Sequence, residues 1–457
     1  MLFQPSPRLP RGSIVAMLIF AFSAAPVGAA DLLQIYRDAL ANDATYASAR
    51  ATRDAGLESL PQGLAQILPT VNATGFTQAN NVDIQFRDIA GTGAATESRR
   101  SGSTGGFTVT LTQPLFNWQN FQVYKEAGFK AAQAEALFGQ ATQDLIVRVA
   151  QAYFDVLASQ DSLAFIQGQK VAIAEQLAQA KRNFEVGTAT ITDTHEAQAR
   201  FDLATSQEIA AQSDLEIRKR TLQQIVGRFP EQLAPLKPNI DLNPPKPNSM
   251  EDWAAAASSQ GYPVRAQEAA VEVAVREIDR VRAGHLPTLN IVGNAGLSSS
   301  GLSTTATVNT ASDTTNYNIG LQLAIPLYAG GNVSSLVRQA VANREKTQQD
   351  LEGARRTAAL NARQSFLGVT NGMAQVKALE AALISSRSAL DSNKLGYEVG
   401  VRINIDVLNA QQQVFSTLRD LSRARYDTIL NGLRLKSASG TLTDGDVEEI
   451  NRLLGAN

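Results

Sequence analysis

The amino-acid sequence predicts a mixed α/β membrane protein that is mainly α-helical and contains an internal duplication. Three observations predict this class. Residue patterns recur at a constant offset along the chain, and four segments alternate apolar and polar residues as membrane-crossing strands do. Two long segments, 116–184 and 333–393, contain no proline and are rich in helix-forming residues.

The N-terminal segment 1–30 is predicted to be a secretory signal peptide. Arg8 and Arg11 precede an apolar run over 14–27, and small residues lead to a cleavage site after Ala30. That run is shorter than the roughly 20 residues that a spanning helix needs, and no later segment is apolar over such a length. The chain has no cysteine, which excludes disulfides, thiolate metal sites and a lipid anchor on an N-terminal cysteine.

The remainder of the chain repeats one order of patterns. The segments FEVG at 184–187 and YEVG at 397–400 are each followed by an aspartate, Asp193 and Asp406. A proline-rich stretch that cannot continue a helix joins the two halves. We therefore predict a first structural repeat at 31–229, a linker at 230–248, a second repeat at 249–440 and a short C-terminal segment at 441–457.

Each repeat contains a predicted pair of strands. Over 107–112 the odd positions are apolar and the even positions are threonines, and Pro114 is expected to end the run. The alternation over 317–325 is expected to end at Pro326 in the same way. With one apolar and one polar face and about 9 to 11 residues each, these strands have the length and pattern that cross a bilayer.

The partner strands are predicted to start at Thr70 and Thr288, and the loops between partners at about 83–103 and 299–314. These loops are rich in Gly, Ser, Thr and Asn, as exposed connections are. Taken alone, the strand patterns fit equally well a half-buried sheet of a soluble protein.

The proline-free segments predict helices about 90 Å long, far longer than a compact domain needs. After each of the segments FEVG and YEVG, small residues recur at intervals of seven, which predicts helices packed closely as a coiled coil. The members are Ala197, Ala204 and Ala211 in the first repeat, and Ala410, Thr417 and Ala424 in the second, beside Val407, Val414 and Leu421.

Four strands are too few to close a barrel. An open strand edge in lipid would leave backbone groups unpaired at several kcal/mol each, so a chain that spans the membrane with these strands must oligomerise. The alternative is a soluble periplasmic coiled-coil scaffold protein, in which the strands form a small sheet.

Composition and motifs argue against several other functions. Lys+Arg 41 and Asp+Glu 43 nearly cancel, so no nucleic-acid partner is predicted. His195 and His285 have no second ligand at metal-binding spacing, and no phosphate loop, nucleophile elbow or paired-acid motif occurs. We expect no cofactor, no metal and no enzymatic activity.

Several short segments carry a resemblance to a known family. They are DLLQIY at 31–36, ITD at 191–193, GHLPT at 284–288, PLY at 326–328, and VG followed by DVL within 399–408. Over nearly all of the mature chain, the sequence resembles the TolC family of outer-membrane export proteins. Because it lacks a lipid-attachment cysteine, the chain resembles the type I secretion branch of this family more than the lipoprotein efflux branch.

The resemblance implies a homotrimer whose chains each give four strands to one 12-stranded β-barrel in the outer-membrane lipid. A long α-helical barrel would continue it into the periplasm. Such an exit duct passes secreted proteins or small toxic compounds out of the cell. It would be recruited by a periplasmic adaptor (membrane fusion) protein and an inner-membrane transporter, with the ABC type favoured over a proton-driven pump.

The helix-to-helix tips are the first candidate functional region. Gly187 and Gly400 fit the left-handed turn conformation that glycine adopts freely. Together with Val186 and Val399 they are expected, from the resemblance, to form the adaptor-docking tips as well as ordinary helix caps.

The resemblance also places a pore constriction near these tips. Asp406 would face the pore and form a ring of three carboxylates, whereas an aspartate near a helix start is by itself more often a cap or dipole partner. The family's usual second acidic ring falls on Asn409, an uncharged amide, so weaker cation block is expected.

Four further residues match a latch that closes the pore. Tyr397 and Arg402 would bond to Thr192 and Asp193 of the neighbouring tip. Hydrogen bonds to charged groups contribute about 1.5 to 3 kcal/mol each, so a few of them could hold a pore shut and still be broken by a partner. The alternative is a set of solvated surface charges worth under about 1 kcal/mol each.

Overall fold

The computed structural model describes residues 29–86, 96–228, 232–238, 240–301 and 311–455. The predicted signal peptide therefore lies, except for its last two residues, outside the described part of the chain. The first half contains α1 (Leu32–Asn42), α2 (Ala44–Leu57), α3 (Ser59–Ala65), β1 (Thr70–Phe86), β2 (Thr96–Phe116), α4 (Trp118–Glu185) and α5 (Ile191–Val226).

The second half repeats this order after the proline-rich segment. It contains α6 (Met250–Gln260), α7 (Tyr262–Arg282), a short 3-10 turn (Ala283–His285), β3 (Thr288–Ser300), β4 (Ser312–Ala324), α8 (Asn332–Glu398), α9 (Asn404–Ala438) and α10 (Asp444–Asn451). In each half, one or more helices lead into a strand pair, which is followed by a very long helix and a shorter one.

The four strands form one antiparallel sheet in the order β1-β2-β3-β4, so β1 and β4 are its edges. The strands start at Thr70 and Thr288 as predicted. On β4, the apolar side chains of Tyr317, Ile319 and Leu321 alternate with polar ones and are exposed in the single chain. One row of the edge strand is therefore apolar, as a strand that faces lipid requires.

Two sequence predictions about strand ends were wrong. The polar segment expected to form a loop from residue 83 continues as strand, because β1 and β2 stay in register from Thr70 with Thr112 to Phe86 with Thr96. β2 also runs past Pro114 to Phe116, with a register shift between these two residues. A proline, which lacks the N–H that a ladder needs, is tolerated at such a bulge.

The two long helices extend over 68 and 67 residues, which corresponds to about 100 Å each. Asn117 caps the start of α4, where its side chain accepts a hydrogen bond from the backbone N–H of Asn120. α5 packs along α4, and α9 packs along both α8 and α4. Most of the residues predicted at the seam are buried, namely Ala197, Ala204, Val407, Val414, Thr417, Leu421 and Ala424.

The largest apolar core of the described residues lies halfway along the long helices. It combines the middle of α4 with α1, α5, the end of α9, α10 and the segment around Leu233. The buried hydroxyl of Tyr153 donates to the backbone carbonyls of Ala234, at 2.7 Å, and Ala30, at 3.3 Å. The core therefore fixes both the start of the folded chain and the linker against the helices.

Within the described residues, none of the helices combines the length and the apolar character that crossing a lipid bilayer requires.

Candidate functional site

The two tips lie where α4 turns into α5 and where α8 turns into α9. Gly187 has φ 79° and Gly400 has φ 75°, so both adopt the left-handed conformation that the sequence predicts. The backbone hydrogen bonds also correspond: Thr188 N–H donates to Asn183 O at 2.8 Å, and Val401 N–H donates to Gly396 O at 2.9 Å. The two turns are therefore two copies of one helix-ending motif.

Apolar side chains project from both tips. Val186 is 73% exposed, Val399 64% and Val401 75%. Apolar side chains exposed together at the end of a long helical pair are typical of a contact surface for another protein. The predicted adaptor-docking role of Val186, Gly187, Val399 and Gly400 fits this exposure and stays a prediction.

At the first tip, Asp193 takes part in a capping box at the start of α5. Its carboxylate accepts hydrogen bonds from the backbone N–H of Thr190, at 3.0 Å, and from the Thr190 hydroxyl, at 2.9 Å. The Asp193 N–H donates in return to the Thr190 hydroxyl. The adjacent Thr192 is exposed. The Asp193 carboxylate thus stabilises the start of its own helix.

At the second tip, the helix start is different. α9 begins after Ile403, which provides no side-chain cap. Asp406 lies in the first turn and pairs with Arg402 across 3.6 Å. Asp406 is therefore not a capping hydrogen-bond acceptor here, although its charge still suits the helix N-terminus. Its predicted place in a ring of carboxylates stays a prediction.

The predicted latch residues do not contact one another within one chain. In the described residues, no hydrogen bond or ion pair joins Tyr397 or Arg402 to Thr192 or Asp193. Tyr397 instead accepts a hydrogen bond from the Asn183 side chain at 3.2 Å. A latch between neighbouring chains stays a prediction.

Asn409 is the uncharged residue at the position of the family's second acidic ring, and it has a hydrogen-bond partner that the sequence did not predict. Its side-chain oxygen accepts a hydrogen bond from Arg200 of α5 at 3.0 Å. Sequence reasoning missed both Asn183 and Arg200. The available signal concerned Arg200 only: it follows Asp193 by seven residues, which places Asp193 and Arg200 on one face of α5.

No group of His, Asp and Glu side chains in the described ranges is arranged to hold a metal ion. His195 and His285 are both exposed, and they lie on different elements. The tips therefore offer hydrogen bonds, charges and apolar contacts, which suit protein contacts and the gating of a passage.

Comparison with known proteins agrees with this architecture. The family model described as outer membrane efflux protein matches residues 35–228 and 256–441. The chain belongs to this family. The outer membrane protein TolC of Vibrio cholerae is 34% identical over 93% of this chain and 94% of its own length. The alkaline protease secretion protein AprF of Pseudomonas aeruginosa is 31% identical over 91% of this chain and 86% of its own.

The fold is also shared with solved channels. The crystal structure of the Campylobacter jejuni CmeC outer membrane channel superimposes with a TM-score of 0.76 at 15% identity, covering 99% of this chain and 98% of that one. The protein is thus an outer-membrane exit duct of an export system, mainly α-helical, with its helical part in the periplasm. This family membership argues against the alternative of a soluble periplasmic scaffold, and the relatives are channel proteins, not enzymes.

Proposed function

We propose that the chain forms a homotrimer in which three four-stranded sheets join into one 12-stranded barrel. The observation that carries this proposal is the open sheet: β1 and β4 each pair on one side only within the chain. Unpaired edges are costly in lipid, and pairing β1 of one copy with β4 of the next removes all of them. The helices would then form a continuous tube below the barrel.

We propose further that the duct serves type I protein secretion, with a periplasmic adaptor protein and an inner-membrane ABC transporter. The similarity to a protein named for alkaline protease secretion supports this branch, as does the absence of cysteine. Efflux of small toxic compounds through a proton-driven pump is the second candidate, favoured by the description of the matching family.

Export into the medium tests the branch. A strain without its own outer-membrane secretion channel receives this chain together with an ABC transporter, an adaptor and a secreted protease. Protease in the medium and a trimer that survives unheated detergent electrophoresis support the proposal. Restored resistance to toxic compounds without protease secretion would assign the chain to efflux instead.

The tips are proposed to close the duct at rest. Tyr397 and Arg402 of one chain would bond to Thr192 and Asp193 of its neighbour, and three Asp406 carboxylates would line the mouth. Arg402 lies at the exposed tip in a single long ion pair of 3.6 Å, so it is available to a neighbouring chain.

Planar-bilayer recordings test this gate. We expect Arg402→Ser to raise single-channel conductance and Asp406→Ala to shift the reversal potential away from cation selectivity. Arg423→Ser, which removes a charge farther along α9 from the tip, serves as the control. Conductance equal to that of the control would refute the gate, and an unchanged reversal potential would refute the carboxylate ring.

A further inference from the structure

Near the tips, two side-chain links join the first hairpin, α4 with α5, to the second, α8 with α9. Farther from the tips, Tyr426 and Arg434 of α9 also donate hydrogen bonds to α4. The guanidinium of Arg200 donates from Nη1 to Gln412 Oε1 at 2.9 Å and from Nη2 to Asn409 Oδ1 at 3.0 Å. Near the turns, Asn183 Nδ2 donates to the Tyr397 hydroxyl at 3.2 Å. Arg200 makes the larger link, because its planar fork holds two acceptors one helical turn apart on α9.

The Arg200 charge has no carboxylate partner in the described residues. Its two acceptors are neutral amide oxygens, and no ion pair of the described chain includes it. The carboxylate on α9 that is nearest in sequence to these acceptors, Asp406, pairs with Arg402 instead. At position 409 the tip therefore presents a cation bound to an amide, where the family pattern leads one to expect an anion.

The face of α9 that meets the first hairpin is poorly satisfied. Leu408 packs into an apolar cluster with α4 and α5, whose other buried members are Ile173, Leu177, Ala180, Ala197 and Ala204. Asn404 and Gln411 lie on the same face of α9 as Leu408, at spacings of four and three residues. Asn404 is 1% exposed and Gln411 4% exposed. Among the described residues, neither amide atom of Asn404 has a hydrogen-bond partner, and neither has the Oε1 of Gln411.

Buried polar atoms without partners disfavour the state that buries them, because they lose their hydrogen bonds to water. The contact between the two hairpins thus contains an unfavourable component in its middle and a charged double hydrogen bond at its side. The side link and the apolar cluster around Leu408 hold the hairpins together against this unfavourable component, and separation returns the amides to water.

We propose that Arg200 is the clasp that holds the two tip hairpins of one chain together, and that it fixes the charge at position 409. This inference rests on the proposed gated exit duct and adds a link inside each chain to the latch proposed between chains. Arg200 acts as a positioning residue: it keeps α9 against α5, and its release lets the second hairpin move away.

Chemical cross-linking tests the contact without reference to transport. Because the chain has no cysteine, the double variant R200C/Q412C carries the only two thiols. A short bifunctional maleimide is applied to the trimer in outer-membrane vesicles, and the joined peptides are identified by mass spectrometry. A cross-link between α5 and α9 within one chain is expected. R220C/Q412C, with the first thiol farther along α5, should give none.

Planar-bilayer recording tests the clasp itself. Arg200→Ala should raise the ratio of open to closed time roughly two- to tenfold, the range for one lost hydrogen-bonded link at an exposed site. Arg200→Lys keeps the charge but loses the planar fork, so its ratio of open to closed time should lie between those of the wild type and Arg200→Ala. Arg220→Ala is the matched control: it removes the same charge from the same helix, where Arg220 is 72% exposed and, among the described residues, bonds only within α5.

Introducing a negative charge at position 409 gives the sharpest test. Asn409→Asp places a carboxylate against the guanidinium, so it should lower the open-to-closed ratio roughly two- to fivefold and change the reversal potential little. In the Arg200→Ala background the same substitution should shift the reversal potential clearly toward cation selectivity. An equal shift in both backgrounds would overturn the charge assignment.

Asn404→Leu should have the opposite effect to Arg200→Ala. It replaces the unpaired amide by an apolar side chain and should favour the closed state. Arg200→Ala that behaves as Arg220→Ala overturns the clasp in a conducting protein. If the wild-type chain gave no conductance at all, the proposed duct would fail, and the cross-link would still decide whether positions 200 and 412 of one chain lie side by side.

Discussion

Replacing Tyr153 by phenylalanine removes one oxygen from the centre of the core and leaves the ring in place. Tyr153 is fully buried, and burial, reinforced by the nearby Asp31 carboxylate, raises the pKa of its hydroxyl, which is therefore a neutral donor. Its two acceptors differ. The carbonyl of Ala30 also accepts from the Ala234 N–H, at 3.0 Å, whereas the carbonyl of Ala234 accepts at 2.7 Å from Tyr153.

The substitution therefore leaves one buried carbonyl unsatisfied rather than two. The expected loss is about 1 to 3 kcal/mol in the free energy of unfolding. The measurement is urea unfolding of the detergent-solubilised protein, followed by helical circular dichroism at a fixed protein concentration, because oligomer stability depends on concentration.

Tyr46→Phe is the matched control. Tyr46 packs against Phe138, and its hydroxyl makes no hydrogen bond with the described residues. Its replacement should change the unfolding free energy by less than about 0.5 kcal/mol. Equal unfolding midpoints for Tyr153→Phe and Tyr46→Phe would show that the hydroxyl does not hold the linker, and the reasoning would be refuted.

Three further predictions follow from contacts away from the tips. Gly372→Ala would put a Cβ 2.4 Å from Thr428 Oγ1 and should destabilise the fold by about 1 to 3 kcal/mol. The Cβ of Gly353→Ala would contact no atom outside its own helix, so this substitution should stabilise its helix by up to about 1 kcal/mol. Equal melting temperatures of the two variants would contradict this. Burial raises the pKa of Asp43, but hydrogen bonds from its arginine partner and from backbone N–H groups outweigh burial, so the pKa is lowered. Asp43→Asn should therefore reduce the free energy of unfolding at neutral pH. The difference from the wild type should vanish as the pH falls through that lowered pKa. The sequence pattern predicts cleavage after Ala30, but Ala30 pairs with the linker in the structure, so we expect the mature chain to keep Ala30 instead. N-terminal sequencing of the exported protein checks this, and a chain that starts at Asp31 would contradict it.

Much of the fold could be predicted because its signals are local and repeated. Proline-free segments mark the two long helices to within a few residues. Period-two patterns mark β2 and β4, and their partner strands start at Thr70 and Thr288 as predicted. The glycines of the FEVG and YEVG segments mark the turns, since few other residues adopt positive φ without strain. The repeat boundaries themselves stay a prediction.

The strand ends could not be predicted, for a physical reason. Threonine, serine and asparagine suit both polar loops and the water-facing side of a strand, so composition alone does not show where the ladder stops. Pro114 was similarly ambiguous, because a proline ends a regular strand and is also tolerated at a bulge.

The side-chain contacts of the tips were beyond the sequence for a different reason. Arg200 and Asn409 lie on helices separated by more than 200 positions. Whether they meet depends on the relative rotation and tilt of two hairpins, which no local pattern fixes. Family resemblance indicated that position 409 matters, but not that a guanidinium from the other hairpin occupies it.

The position of the core along the helices makes each hairpin a lever. α4 is unbroken from the sheet to the tip, and its buried middle around Leu157 is the fulcrum. From there to Glu185 the helix extends about 40 Å, so a tilt of about 5° at the core moves the tip by about 3.5 Å. That displacement exceeds the length of every hydrogen bond between the hairpins. A rotation small enough to leave the core packing intact is therefore sufficient to separate the tips.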